Sequence, residues 1–333
     1  MRLTAAEKYE IIQLVDKSDL GINRTLKELG IHKSTYYKWY KSYLENSIQG
    51  LQPRKRSRRQ WNSIPEEQRQ LVIEVALDYP SLSPRELSVK ITDEQKVFMS
   101  ESSVYRILKS KGLITTPAYI LLSASNEFKN KTMFVHQMWQ TDFTYFKILG
   151  WGWYYLSTIL DDYSRYIVHW DLCTTMRAED VQESVQQALN KACLGKHQRP
   201  TLLSDNGSCY VSTELKDYLA TVKVKSIHGR VGHPQTQGKI ERYHRSMKNV
   251  VKLDNYYHPQ QLKNAIREFV DYYNHQRYHE SLNNVTPADV YFGRSEQLIK
   301  QREQIKKATL KKRKQIYFKE KFLNLETETL SNN

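Results

Sequence analysis

The sequence predicts an α/β core, a mixed five-stranded sheet with flanking helices, preceded by two all-α helix-turn-helix units. Three observations lead there. Residues 138–173 hold three segments rich in aromatic and β-branched residues with short turns between them, the pattern of an antiparallel meander. Downstream, helical and strand patterns alternate, which completes a mixed sheet and covers its faces. Upstream, two stretches each read as three short helices.

The first helical stretch opens at Thr4, with Glu7 at capping-box spacing, and Ile11, Ile12, Leu14 and Val15 form its apolar face. A second helix from Asn23 to Leu29 stops at Gly30, and a third starts at Ser34 or Thr35. Tyr36, Trp39 or Tyr40 then serve the core, while Lys33, Ser34, Thr35, Tyr37, Lys38 and Lys41 are candidate DNA contacts. The ordinary alternative is a small bundle with a solvated basic face. The run "QPRKRSRRQ" supplies Arg54, Lys55, Arg56, Arg58 and Arg59. It reads as a solvated linker or as a basic strand tracking phosphates or a minor groove.

The second helical stretch runs from Pro65 to Gly112: one helix closed before Pro80, one over "SPRELSVKITDEQ" and one over "SESSVYRILKSKGL". A short strand at "KVFMS" would make it a winged variant. Ser102, Ser103, Arg106 and Lys109 either read DNA or belong to a unit that packs on protein.

In the core, "AEDVQESVQQALNKAC" is an amphipathic helix with Val181, Val185, Ala188, Leu189 and Ala192 on one side. A strand "PTLLSD", a helix "STELKDYLATV" and a strand "KVKSIHG" follow, then a helix bearing Glu241 and a longer one from Pro259 to Ser281. The expected organisation is a helix-turn-helix domain at 1–50, a basic linker at 51–62 and a second helix-turn-helix at 63–115. A linker at 116–134, the core at 135–295 and a basic tail at 296–333 complete it. The tail, with "KKATLKKRK", reads as a helix binding DNA or a partner subunit, or as a solvated end.

Net charge is +15, which favours a polyanionic partner. Its distribution is uneven. Residues 1–60 carry 13 Lys and Arg against 6 Asp and Glu, and residues 61–125 carry 7 against 8. The three cysteines, Cys173, Cys193 and Cys209, lie far apart without metal-ligand spacing, which argues against a disulfide framework or a zinc knuckle and fits a reducing cytosol. No apolar run is long enough for a bilayer, and the first residues lack a signal-peptide stretch, so a soluble intracellular protein is expected.

Three carboxylates fall where chemistry is plausible: Asp142 in the first strand, Asp205 at the end of the fourth, and Glu241 in the next-to-last helix, with 35 residues between the last two. Taken singly, each has an ordinary explanation as a turn, a cap or a surface ion pair. Topology changes this, because a central first strand next to the fourth brings Asp142 and Asp205 side by side. Close carboxylates repel unless a cation joins them. Hard oxygen donors suit Mg²⁺ or Mn²⁺, and two such ions serve an in-line displacement at phosphorus. Helix phase puts Ile240, Tyr243, Met247, Val250 and Val251 on a buried face. Glu241, Arg245, Lys248 and Lys252 then form a separate stripe along which a phosphate backbone fits.

The blocks "WQTDFTY", "LLSDNGS" and "HPQTQGKIERYHRSMK" resemble the three catalytic segments of DDE-type insertion-sequence transposases with a retroviral-integrase-like core. "DDYSRYIVHW" and "YYNHQRYHESLNNVTPADVYFGR" are also similar to segments of those transposases, so the resemblance spans about 136–294. It implies a ribonuclease H-like fold, with Asp142, Asp205 and Glu241 as metal ligands for two Mg²⁺ or Mn²⁺ ions. It also implies Gln235, Gln237 and Lys239 near the scissile phosphate. The implied partners are double-stranded DNA, as transposon ends and target, and further copies of the chain in a dimer or larger synaptic complex. No membrane or nucleotide cofactor enters, and the implied setting is the bacterial cytoplasm at the nucleoid. Asn206 is expected to orient Asp205, His233 and His244 have no firm role, and Asp161 and Asp162 read as turn residues. A tyrosine recombinase would need an Arg/His cluster around one Tyr that the sequence does not display. An inactive, DNA-binding repressor is disfavoured by the presence of all three carboxylates.

Overall fold

The computed structural model describes residues 4–18, 20–52, 60–114, 132–195, 198–229, 237–252 and 254–331, with side chains through Phe322. The chain divides into two units, 1–63 and 64–333.

In the first unit, helix α1 (Ala5–Asp16) starts on the Thr4–Glu7 capping box. Helix α2 (Ile22–Glu28) ends before Gly30, whose φ of +65° turns the chain into α3 (Lys33–Gly50). Ile12, Val15, Leu26, Tyr36 and Leu51 are buried together, with Trp39 and Tyr40 packed against them. Leu14, expected on the apolar face, is 57% exposed. It lies two residues after Ile12, about 200° away around the helix.

The second unit begins with α4 (Glu66–Asp78), α5 (Pro84–Gln95) and α6 (Glu101–Ser110), around Val72, Leu87, Ile91, Met99, Val104 and Leu108. Ser83 and Glu86 cap α5 reciprocally. The segment 96–100 is not a strand, so no wing forms there. The Phe98 N–H donates to Thr309 Oγ1 at 3.0 Å, and its carbonyl accepts from Arg313 at 2.9 Å. A distant helix has taken the backbone groups that a partner strand would need.

The sheet has the order β3-β2-β1-β4-β5. Strand β1 (Met138–Ile148) lies between β2 (Gly152–Asp161), antiparallel to it, and β4 (Thr201–Ser204), parallel to it. Strand β3 (Ile167–Cys173) pairs antiparallel with β2, and β5 (Lys225–His228) pairs parallel with β4. The β1–β2 turn is tight because Gly150 and Gly152 take φ of +79° and +89°. Helices α7 (Ala178–Ala192), α8 (Ser208–Val211) and α9 (Thr213–Thr221) cover one face over Trp139, Ile159, Val168 and Leu202. Helices α10 (Gly238–Val251) and α11 (Pro259–His275) cover the other over Phe146, Ile148, Leu156 and Leu160. Alternation along β1 therefore sends its odd positions to α7 and its even positions, Asp142 among them, to α10. This is the expected mixed five-stranded α/β core with flanking helices, preceded along the chain by two helix-turn-helix units.

Helix α11 stops at His275, short of Ser281. The chain then closes a loop with an isolated bridge from His279 to Val285, turned by Asn283 and Asn284 at φ of 57° and 58°. After α12 (Pro287–Tyr291), the basic tail is one long helix, α13 (Ser295–Ser331). It is no free end: Thr309 and Arg313 are buried against the 98–99 segment, and Arg302 makes a bidentate pair with Asp93.

Candidate active site

The parallel register of β1 with β4 ends at Gln140 opposite Leu203. Carried on by two residues, it sets Asp142 level with Asp205. Asp205 lies just past the carboxyl end of β4, the kind of place where open α/β sheets bind ligands, whereas Asp142 lies within β1. Two neighbours feel both acids. Burial first, then Asp142 and more weakly Asp205, hold the buried Tyr210 phenol well above its ordinary pKa. Burial, then Asp205 and more weakly Asp142, push the Cys209 thiol up.

Each aspartate is held by few partners. Asp142 Oδ2 lies 3.3 Å from His244 Nδ1, and the other ring nitrogen of this buried histidine is 3.2 Å from Thr158 Oγ1. Asp205 Oδ1 accepts the Gly207 N–H at 2.9 Å, and a Cβ on Gly207 would sit 3.0 Å from that oxygen. His228 Nδ1 lies 3.0 Å from Ser204 Oγ and 3.2 Å from the Asp205 carbonyl, fixing the backbone at the strand end. Asn206 does not orient Asp205: its Nδ2 donates to the Gly229 carbonyl at 2.9 Å and ties the Asp205 turn to the end of β5.

Helix α10 buries Ile240, Tyr243, His244, Met247 and Val251, whereas Val250 is 54% exposed. Glu241 is exposed and has no ion-pair partner among the described residues. Arg245 and Lys252 share its exposed side. Lys248 leans on the Tyr145 ring, 4.8 Å from its centroid, so this cation packs as well as points outward. Among the described residues no three His, Cys, Asp or Glu side chains are gathered closely enough to hold a metal ion. The register of β1 with β4, carried on by two residues, sets Asp142 level with Asp205, and Glu241 stands one turn from the His244 that touches Asp142.

Two residues expected near DNA are engaged inside the protein. Lys239 Nζ pairs with Asp162 Oδ2 at 2.5 Å and donates to the Asp162 carbonyl at 2.8 Å. Burial, then the nearby Arg165, pull its pKa below the ordinary lysine value, with Asp162 opposing. Gln237 is buried and donates to the Thr141 carbonyl at 3.3 Å. Both contacts run from the start of α10 to residues in or just beyond the sheet, which no local pattern discloses. Gln235 and His233 lie outside the described residues. Asp161 does serve a turn, accepting from the Ser164 N–H and hydroxyl and from the His136 N–H. Asp162 is more than a turn residue, being the partner of Thr132, Gln140 and Lys239. Sequence reasoning missed His244, Gly207 and His228 as supports. His244 alone left a signal, its i+3 spacing from Glu241.

On α3, Lys33, Ser34, Tyr37, Lys38 and Lys41 are exposed and Thr35 is half-buried. Lys41 stands 3.9 Å from Glu45. Arg106 is exposed on α6 and donates to the Ser102 carbonyl. Arg54, Lys55, Arg56, Arg58 and Arg59 lie outside the described residues.

These elements define a class: helix-turn-helix units preceding an α/β core that bears one acid within β1 and another just past the end of β4. Residues 135–234 and 222–287 match two family models, each described as Integrase core domain. Residues 7–59 match a Helix-turn-helix domain and residues 35–108 a Homeodomain-like domain. The putative transposase InsK for insertion sequence element IS150 of Escherichia coli is 27% identical over 42% of this chain and 48% of its own length. The transposase for transposon Tn552 of Staphylococcus aureus is 24% identical over 73% of this chain and 55% of its own. The HTLV-2 integrase catalytic core domain, solved in complex with magnesium, aligns at 20% identity with a TM-score of 0.39, covering 48% of this chain and 98% of that one. The chain thus spans about half the length of the curated relatives it matches. Over residues 135–287 it is similar to integrase core domains, and it resembles insertion-sequence transposases.

Proposed function

We propose that this chain is a DNA transposase that binds the terminal inverted repeats of a mobile element and catalyses metal-dependent strand cleavage and strand transfer. The observation that supports this most is the β1–β4 register, which sets Asp142 level with Asp205 on the face covered by the helix of Glu241. The donor set suits a hard divalent cation. Asp142 meets only a histidine nitrogen, and Asp205 only one backbone N–H, so each keeps an oxygen free of protein donors among the described residues. Asp142, Asp205 and Glu241 would hold Mg²⁺ or Mn²⁺, two ions in the full site. Bound there, the metal would lower the pKa of a water and stabilise charge on the phosphate oxygens.

The chain's own residues do the rest. His244, braced by Thr158, aims Asp142. The Gly207 N–H and the His228-held turn aim Asp205. Exposed Arg245 and Lys252 offer charge to the DNA backbone beside Glu241. On α3, Ser34, Tyr37 and Lys38 face outward on the recognition-helix side of a helix-turn-helix, where base and phosphate contacts are made. Water attack frees a 3′-OH, and that 3′-OH then displaces a second 3′-oxygen at phosphorus. One bond forms as one breaks, so no ATP is required. Joining two ends calls for more than one copy of the chain.

The test uses the full chain with Mg²⁺ and DNA carrying the element's ends. Asp205→Asn is expected to abolish nicking while end binding stays at the wild-type level. Continued nicking by that variant would refute the site.

A further inference from the structure

Asp162 is 3% exposed, and a carboxylate that deep is costly unless its oxygens are paired. Here Oδ1 accepts from Gln140 Nε2 at 2.7 Å, and Oδ2 accepts from Thr132 Oγ1 at 2.6 Å and from Lys239 Nζ at 2.5 Å. The Asp162 carbonyl accepts from Lys239 again and from Arg165 Nη1. The same Gln140 uses its other end to accept the Ile240 N–H at 3.0 Å, one of the first-turn donors that a helix leaves without an internal partner. Gln237 reaches back to the Thr141 carbonyl.

The placement along the chain gives these bonds their meaning. Gln140 and Thr141 immediately precede Asp142 on β1, Lys239 and Ile240 immediately precede Glu241 on α10, and Gln237 is the N-cap of that helix. Asp162, just past the end of β2, is bonded to both sets. A one-residue change in how the first turn of α10 seats would swing Glu241 by about 100° around the helix. The polar contacts that tie this turn to β1 and Asp162 are made by Gln140, Gln237 and Lys239.

We infer that Asp162, with Gln140 and Lys239, is a positioning latch that seats the first turn of α10 on β1 and thereby sets where Glu241 stands relative to Asp142. This rests on the metal-ligand roles proposed above for those two acids. Lys239 is a strut of the latch rather than a DNA contact, and its ammonium faces inward to Asp162.

A buried ion pair with a purely structural role would show the same contacts, so the test separates the two. Asp162→Asn or Lys239→Met alone strands one buried charge and is expected to destabilise the fold. The double variant Asp162→Asn/Lys239→Met removes both charges together, and its Tm is expected to return close to wild type. The link from α10 to Asp162 stays broken in the double variant. Its Mg²⁺ concentration for half-maximal nicking of end DNA should therefore rise on the order of tenfold to a hundredfold, as when supports of metal ligands are lost. The Mn²⁺-induced rise in Tm, read without DNA, should shrink in parallel while end binding is unchanged. A stable double variant with wild-type Mg²⁺ dependence and a wild-type Mn²⁺ shift would overturn the latch. If the wild-type chain itself showed neither metal-dependent nicking nor a Mn²⁺ shift, the parent reading would fall and the latch with it.

Discussion

Gly207 shows how closely the backbone is drawn around Asp205. Its N–H donates to Oδ1, and the space a side chain would fill is within 3.0 Å of that same oxygen. Gly207→Ala should leave the fold intact, since the residue is on a half-exposed turn, and displace the carboxylate by a few tenths of an ångström or rotate it. Nicking is expected to fall by about tenfold or more, measured under saturating Mg²⁺ with end binding as the control. Wild-type nicking would mean that Asp205 needs no such support. The acids themselves were legible as residues, because Asp-Asn-Gly at a strand end and a Glu among cations are local patterns. Their partners were not. The Asn206 side chain goes to Gly229, 23 residues on, and Lys239 goes to Asp162, 77 residues back. Neither distance leaves a mark on the sequence near the residue concerned.

At the scale of elements, periodicity located the meander and the alternating helices well, because each buries one face against a partner. It failed where an element's backbone is claimed from afar. The segment 96–100 has the β-rich composition of a strand, yet its N–H and C=O bond to Thr309 and Arg313. Helix α11 ends early because the following residues close on themselves through His279 and Val285. The packing of α7 on β3 is itself pH-dependent. His169 Nδ1 lies 3.0 Å from Lys191 Nζ, a contact that requires the neutral imidazole as acceptor. Burial, then Lys191, depress its pKa from 6.5 to about 4, with Asp171 and Glu183 opposing. The unfolded chain therefore takes up this proton first as pH falls. The stability contributed is full above about pH 6.5 and is lost as pH falls towards 4. In His169→Gln the loss of Tm between pH 7 and pH 4.5 should be smaller than in wild type. An identical loss would show that other groups govern the acid limb.

For the molecule as a whole, α13 was the least readable segment, since a Lys-rich run looks the same whether solvated or docked. In the structure it braces the second helical unit. Arg302 bonds Asp93 on α5 at 2.7 and 2.6 Å and reaches the Asn284 carbonyl beside the core at 2.8 Å, while Arg85 bonds Asn284 from the other side. The helices 64–112 are thus tied to the α/β core by α13 and the 283–284 turn. Arg302→Ala removes a charge-assisted pair that is only partly exposed, with an expected cost of about 1–3 kcal/mol. A melt should show Tm lowered by a few degrees, and an unchanged Tm would mean the brace is not stabilising.

In the proposed function, three carboxylates from β1, the end of β4 and α10 act as one site. The most direct measurement is the rate of Mg²⁺-dependent nicking of end DNA by Asp142→Asn, Asp205→Asn and Glu241→Gln, singly and in pairs, with end binding measured in parallel. Members of one catalytic unit are non-additive, so each single variant should lose nicking almost completely and each pair should be no worse. Glu241→Gln nicking at the wild-type rate, with the aspartate variants inactive, would exclude Glu241 from the site.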